Sequence, residues 1–308
     1  MCGFHAPGRW DEIVDVSDCL LASPAGNAVR ERVVSWCRAQ RLAPYDRRTG
    51  AGLLRNLVVR EGRRTGELQV RLVTGEGKLD REGLARAAGN VGGVLWTRTS
   101  AVAETSHGGH TELLEGSEWL EEEVMGMHFR LSPDAFFQTN TEMAQRLYET
   151  AIEYAQPSGF ERVYDLYCGI GTIGLLMAPR AAAVWGLELI PEATSDAAVN
   201  ARVNEIDNAH FLAGDVRLAL RELVARADSP DVVVVDPPRA GLSQKVVRRV
   251  IEAAPEKIVY VSCNPTTLAP NAAQLEQAGY KLNRVRPVDM FPQTPHIECV
   301  ALLERRRS

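Results

Sequence analysis

The sequence predicts an α/β protein, with an open, mostly parallel sheet in residues 132–308 and a smaller α+β unit in residues 1–131. Three observations carry this. From residue 132 onward, apolar β-type runs alternate with amphipathic helical segments, the pattern of successive βαβ crossovers. At least one strand, in "DVVVVDPP" (231–238), is apolar throughout, as expected where helices cover both faces of a sheet. Before residue 132 this regular alternation is absent.

In order, "NAVRERVVSWCRAQRL" (27–42) has helical periodicity. "LLRNLVVREG" (53–62) and "GELQVRLVTG" (66–75) alternate like strands, and "RRTG" (63–66) joins them as a hairpin. "GGVLWTRTS" (92–100) reads as a further strand. "TEMAQRLYETAIEYA" (141–155) is an amphipathic helix. Strands then follow at "RVYDLYC" (162–168), "AVWGLEL" (183–189), "AHFLAGD" (209–215), "DVVVVDPP" and "KIVYVSC" (257–263). The helices between them are "TIGLLMA" (172–178), "EATSDAAVNARVNEI" (192–206), "VRLALRELVARA" (216–227), "QKVVRRVIEAA" (244–254) and "TTLAPNAAQLEQA" (266–278). "YKLNRVRPVDMF" (280–291) and "HIECVALLER" (296–305) close the chain as a hairpin, an antiparallel edge on the parallel sheet.

Composition sets limits. The 308 residues are 45% hydrophobic and 24% charged, ordinary for a globular protein. No apolar run approaches the roughly 20 residues of a membrane span, and the N-terminus lacks signal-peptide regions, so a soluble cytoplasmic protein is expected. The net charge of −5 excludes a protein that coats nucleic acid through bulk charge alone. Arg55, Arg60, Arg63, Arg64 and Arg71 form a local basic cluster that reads equally as a solvated surface or a binding face, and the terminal "ERRRS" reads as solvated surface. The six cysteines are scattered without a C-x-x-C pair, so neither a zinc site nor a disulfide framework is indicated.

Ligands of open α/β sheets bind beyond the carboxyl ends of the strands. After the first parallel strand, Gly169, Gly171 and Gly174 form G-x-G-x-x-G in a Rossmann-like strand–turn–helix context. Glu188 ends the next strand, where a carboxylate can accept from ribose hydroxyls. These features fit NAD and S-adenosylmethionine alike. Asp165, placed to meet an ammonium, and Asp215, placed to meet an adenine amine, favour the sulfonium ligand, because a pyrophosphate seeks bare amides instead. Asp236 leaves the fourth strand at the rim of the sheet and is followed by two rigid prolines.

The fifth strand ends at Cys263, with Asn264 or Thr266 capping the helix beyond. A helix N-terminus favours a thiolate, which makes Cys263 a candidate nucleophile. Cys37, Cys168 and Cys299 read as small buried hydrophobes. Glu298 sits within a short apolar strand, where a carboxylate is costly unless paired or used, and His296 is expected on the same strand face.

"DPPRAG" (236–241), "VYVSCNPTTL" (259–268) and "FPQTPHIE" (291–298) together resemble the three signatures of the RNA uracil-5 methyltransferase family, in order and in spacing. "FFQTN" (136–140) resembles the segment leading into that family's class I methyltransferase domain. The resemblance implies methyl transfer from S-adenosylmethionine to C5 of a uridine in RNA. It implies Cys263 as the nucleophile adding at C6 and Glu298 as the base removing the C5 proton, with Asp236 holding the base or the cofactor. Gln138, Tyr167, Glu188 and Asp236 match the family's positions for S-adenosylmethionine, and Asp215 matches less closely. Thr172 stands where several relatives carry Asn and is not included. The target base must come from a loop or be flipped out, and Arg239 could hold a phosphate or the base.

The family's rRNA-modifying members carry an N-terminal β-barrel and four cysteines for an iron–sulfur cluster. The segment "GFHAPGRWDEIVDVSDC" (3–19) resembles the stretch ending in the fourth, at Cys19, which leans the reading toward rRNA over tRNA. The other three would lie upstream and Cys2 alone cannot complete a site, so no cluster and no barrel are expected in this chain, and weak RNA affinity follows. The alternatives are a non-catalytic remnant that binds RNA or cofactor, and an adenine amino-methyltransferase. Arg239, where an aromatic would stack the base, opposes the latter, and an NAD dehydrogenase leaves Cys263 and Glu298 without roles. The sequence does not specify an oligomeric state.

Overall fold

The computed structural model describes residues 2–101 and 108–306, so the last two residues of "ERRRS" lie outside the described residues. In chain order the elements are β1 (Gly3–Ala6), β2 (Arg9–Asp15), α1 (Pro24–Ala39), β3 (Leu54–Glu61), β4 (Leu68–Thr74), α2 (Arg81–Ala88), β5 (Gly93–Arg98), β6 (His110–Gly116), β7 (Leu120–Val124) and β8 (Met127–Leu131). They continue with α3 (Thr141–Ala155), β9 (Arg162–Leu166), α4 (Thr172–Met177), β10 (Ala183–Glu188), α5 (Pro191–Val203), β11 (Ala209–Ala213), α6 (Val216–Ala227), β12 (Val232–Val235), α7 (Gln244–Ala253), β13 (Lys257–Ser262), α8 (Pro265–Gln277), β14 (Tyr280–Val288) and β15 (Glu298–Arg305).

The chain forms two compact units, one of Met1–Glu122 with Leu131–Asp134 and one of Glu123–Arg130 with Ala135–Ser308. In the first, β3–β4–β5–β6 form a mixed sheet. Val70, Leu72 and Val94 of this sheet pack with Val29, Val33 and Cys37 of α1 and Leu84 and Ala88 of α2. Much of the arginine cluster is used internally. Arg71 is buried and pairs with Asp134, Arg60 donates to the Ser132 carbonyl at 2.8 Å, and the Arg55 guanidinium lies 4.0 Å from the Tyr45 ring centroid. The Arg63 and Arg64 backbone N–H groups donate to the buried Glu122 carboxylate at 2.7 and 2.9 Å.

The second unit carries a seven-stranded sheet in the order β11–β10–β9–β12–β13–β15–β14. Strands β9 to β13 are parallel, whereas β15 and β14 run antiparallel at one side, as the sequence predicted. Helices α6, α7 and α8 bury Leu220, Leu223, Val246, Val250, Leu268 and Leu275 in a core with Tyr164, Leu166, Val233, Val235 and Tyr260 of the sheet. Helices α3, α4 and α5 also pack on this sheet. The chain winds outward from β9 through β10 to β11, then returns to place β12 on the other side of β9. The gap between the carboxyl ends of β9 and β12 is thus the switch point, where a crevice opens for a ligand. Among the described residues, no helix is long and apolar enough to cross a membrane.

Candidate active site

The crevice at the switch point is lined by Gln138, Tyr148, Asp165, Tyr167, Gly169, Thr172 and Asp236, with Phe136 and Phe137 also in its wall. One wall is the turn after β9. Tyr167, Gly169 and Gly171 all adopt positive φ, at 66°, 54° and 83°. At Gly171 a side chain would be strained by the positive φ, and its Cβ would come within 2.9 Å of the Phe211 ring, which would have to shift. The turn lets α4 start against the strand, and Asp165 Oδ2 accepts the Gly174 N–H at 2.8 Å, satisfying one free donor of the first helical turn. Asp165 Oδ1 is buried and has no hydrogen-bond partner in the protein. Burial above all, with the nearby charges of Asp236 and Glu188, pushes the Asp165 carboxyl up to about 7, against the pull of the Gly174 bond.

Glu188 closes β10 and bridges two loops, accepting from Gly169 N–H and Ile190 N–H, each at 3.1 Å. It stands behind the glycine turn, outside the crevice lining. Asp215 is also outside the lining. It caps α6 through the Arg217 N–H at 2.8 Å, and it pairs with the Arg217 guanidinium, which holds its carboxyl below the ordinary range. Gln138, Tyr167 and Asp236 do meet in the crevice.

Asp236, just after β12, is in the crevice wall, whereas Cys263 and Glu298, at the ends of β13 and β15, lie outside its lining. β13 and β15 pair antiparallel in a register that sets Ser262 opposite Cys299. Cys263 follows Ser262 and Glu298 precedes Cys299, so the two stand at adjacent strand ends, and the charge of Glu298 bears on the thiol. Glu298 is therefore the first residue of β15, buried at 5% exposure, and burial raises its carboxyl above the ordinary range while Arg239 offsets part of the rise. Burial and the charge of Glu298 raise the Asp236 carboxyl to about 7.

Two expectations need correction. His296 is not on the Glu298 strand face: it lies in the exposed loop before β15, with Nδ1 3.5 Å from Arg239 Nη2. The Cys263 thiol is not shifted toward thiolate by the helix end. Burial first, then the charges of Glu298 and Asp236, raise its pKa, and only Arg239 and a backbone hydrogen bond pull it down. Asn264, not Thr266, caps α8, its Oδ1 accepting from Thr266 N–H at 3.1 Å. Cys37, Cys168 and Cys299 are buried, as predicted for packing residues.

The sequence reasoning missed Tyr148. It lies on the buried stripe of α3 with Ala144, Leu147 and Ala151, so its periodicity reads as core, yet it lines the crevice. Burial and the charge of Asp236 keep its phenol protonated.

These residues fit S-adenosylmethionine. The buried, unpartnered Asp165 Oδ1 is an acceptor without a donor, and an ammonium supplies one. Asp165 and Asp236 in the crevice suit a cationic sulfonium ligand.

Comparison with known proteins places the chain in a family. The family model described as tRNA (uracil-5-)-methyltransferase matches residues 114–306. An uncharacterized RNA methyltransferase of Bacteroides thetaiotaomicron is 39% identical over 99% of this chain and 68% of its own length. One from Enterococcus faecalis is 40% identical over 98% of this chain and 67% of its own. The structure of Pyrococcus abyssi tRNA (uracil-54, C5)-methyltransferase, in complex with S-adenosyl-L-homocysteine, superposes with a TM-score of 0.82 at 31% identity, covering 98% of this chain and 72% of that one. The fold is that of an S-adenosylmethionine-dependent class I methyltransferase, and the chain belongs to the tRNA (uracil-5-)-methyltransferase family.

Proposed function

We propose that this protein methylates C5 of a uridine in RNA through a covalent adduct between Cys263 and C6 of the base. The observation that supports the reading is the β13–β15 pairing of Ser262 with Cys299, whose chain neighbours Cys263 and Glu298 are a thiol and a buried carboxyl that bear on one another and on Asp236. S-adenosylmethionine, when bound, supplies the electrophilic methyl group. Gln138, Tyr167, Glu188, Asp215 and Asp236 are the residues we assign to holding it, three of them in the crevice wall.

The Cys263 thiolate adds to C6, and the electrons of the C5=C6 bond move toward O4, making C5 nucleophilic. Once C5 carries its new substituent, Glu298 accepts the C5 proton. The C–H electron pair restores C5=C6, and the C6–S bond breaks to return the thiolate. A carboxyl raised by burial is suited to take that proton near neutral pH. The family description and the Pyrococcus neighbour both name tRNA, so a tRNA stem-loop is the first substrate to offer and rRNA fragments the second.

The test uses 5-fluorouridine RNA with S-adenosylmethionine, comparing wild type with Cys263→Ala on a denaturing gel. Fluorine at C5 cannot leave as a proton, so the adduct is trapped. A shifted band with wild type alone is expected. A band that persists in Cys263→Ala, or no C5-methylated product from either RNA class, overturns the reading.

A further inference from the structure

Strand β8 pairs with β7 in a two-stranded sheet, so one of its edges has no neighbouring strand. Side chains of α5 meet that edge instead. Asn200, in the last turn of α5, and Asn204, just beyond it, are four residues apart and share one side of the helix. Asn204 Oδ1 accepts the His128 N–H at 2.8 Å, and its Nδ2 donates to the His128 carbonyl at 2.6 Å. Asn200 Oδ1 accepts the Arg130 N–H at 2.8 Å. Two amides thus take the place of a third strand and close the edge.

Asn200 also reaches the cofactor crevice. A backbone N–H can only donate, so the Arg130 bond fixes which end of the Asn200 amide faces β8. That leaves Nδ2 to donate to the Ile170 carbonyl, 3.3 Å away. Both residues are buried, Asn200 at 0% exposure and Ile170 at 2%, so an acceptor left unmet here is costly. The Gly174 N–H, four residues on from Ile170, goes to Asp165 instead. Among the described residues, the Asn200 amide is the donor that reaches this carbonyl. Ile170 lines the crevice and lies between Gly169 and Gly171, both at positive φ. Helix α5 backs the same turn one step along its row: a Cβ on Gly171 would come within 3.1 Å of the Ala197 Cβ.

We propose that Asn200 is a positioning residue for S-adenosylmethionine: its amide, oriented by β8, holds the glycine turn in the shape that receives the ligand. A turn with two positive-φ glycines has many other conformations open to it, and without this bond the ligand must order the turn as it binds. The proposal needs the class I methyltransferase fold and not the uridine chemistry.

The experiment uses the full chain and S-adenosylhomocysteine, in wild type, Asn200→Leu and Asn204→Leu. Calorimetric titration gives affinity, urea unfolding gives stability, and amide hydrogen exchange of the free protein reports on residues 169–174. Asn204→Leu removes two bonds from the same β8 edge and leaves the Asn200 side chain in place. Both variants should unfold at lower urea. Affinity should fall about tenfold in Asn200→Leu and by less than about twofold in Asn204→Leu. In the free protein, residues 169–174 should exchange faster than wild type in Asn200→Leu alone. If the leucine variant does not fold, Asn200→Ser, too short to span both bonds, carries the same comparison. Affinity lost equally at the two positions would mean that Asn200 serves the fold only, and it overturns the proposal. Wild-type affinity in Asn200→Leu, or unchanged exchange of the turn, overturns it as well.

Discussion

Replacing Asp165 with Asn should stabilise the free protein while disabling it. The Asp165 carboxyl moves from an ordinary 3.8 to about 7 on folding, chiefly through burial. A carboxyl raised in the folded state disfavours folding wherever the unfolded chain has already released its proton. The cost starts near the unfolded pKa, grows as pH rises and saturates above about 7. At about 1.4 kcal/mol for each pH step, it reaches about 4 kcal/mol at pH 8 and about 2 kcal/mol at pH 5. Asn keeps an oxygen for the Gly174 N–H and carries no charge. Its N–H groups, placed where Oδ1 stood, cost about 1 to 2 kcal/mol if they find no acceptor. The net gain is then about 2 to 3 kcal/mol at pH 8 and close to zero at pH 5. Urea unfolding at the two pH values measures the gain, and calorimetric titration with S-adenosylhomocysteine measures the binding lost with the carboxylate. A stability change equal at both pH values would refute the burial argument. Undiminished ligand affinity would refute the role assigned to the unpartnered oxygen.

Two further substitutions test the rest of the site. Glu298→Gln should arrest the reaction after addition, so that a covalent complex accumulates on ordinary uridine RNA and is visible on a denaturing gel. The same change removes a carboxylate from the thiol's surroundings, so iodoacetamide should alkylate Cys263 faster than in wild type. Gly171→Ala forces a side chain into φ +83° and against the Phe211 ring, costing about 2 to 3 kcal/mol and the shape of the crevice. A lowered melting temperature with weakened S-adenosylhomocysteine binding is expected, and an unchanged melting temperature would contradict the packing described.

The C-terminal sheet was legible because its signals are local and repeated. The parallel strands are mostly apolar and carry a chemically distinct residue at or just beyond their carboxyl ends, and the antiparallel closing pair announced itself by two adjacent strands without a helix between. The N-terminal unit was less so. Strands such as "HTELLEG" and "LEEEV" are half-exposed and rich in acids, and alternation against a core is what a reader can see. His296 was misplaced because Pro295 before it was not weighed: a proline cannot donate to the ladder, and the strand begins after it. Asp215 could have been read as a cap, since an Asp directly before a helical run is the commonest such signal. The thiol's environment was beyond reach, because it depends on carboxyls that are 27 and 35 residues away in sequence and adjacent only across strand ends.

That acidic environment looks ill suited to a nucleophilic cysteine until the charges are followed through the proposed reaction. Glu298 and Asp236 raise the proton affinity of Cys263, and Glu298 raises that of Asp236, so the cluster favours holding fewer negative charges than it has acids. A thiolate is easiest to form while Glu298 carries a proton. Addition to C6 turns the thiolate into a neutral thioether, which removes its charge and lowers the proton affinity of Glu298. The carboxyl is then readiest to ionise at the stage when a base is required. Taking the C5 proton neutralises Glu298 again as the C6–S bond breaks, and the returning thiolate meets an uncharged neighbour. One negative charge thus passes between Cys263 and Glu298 in the proposed reaction, and the carboxyl that does most, after burial, to raise the resting thiol is the one whose protonation eases its departure.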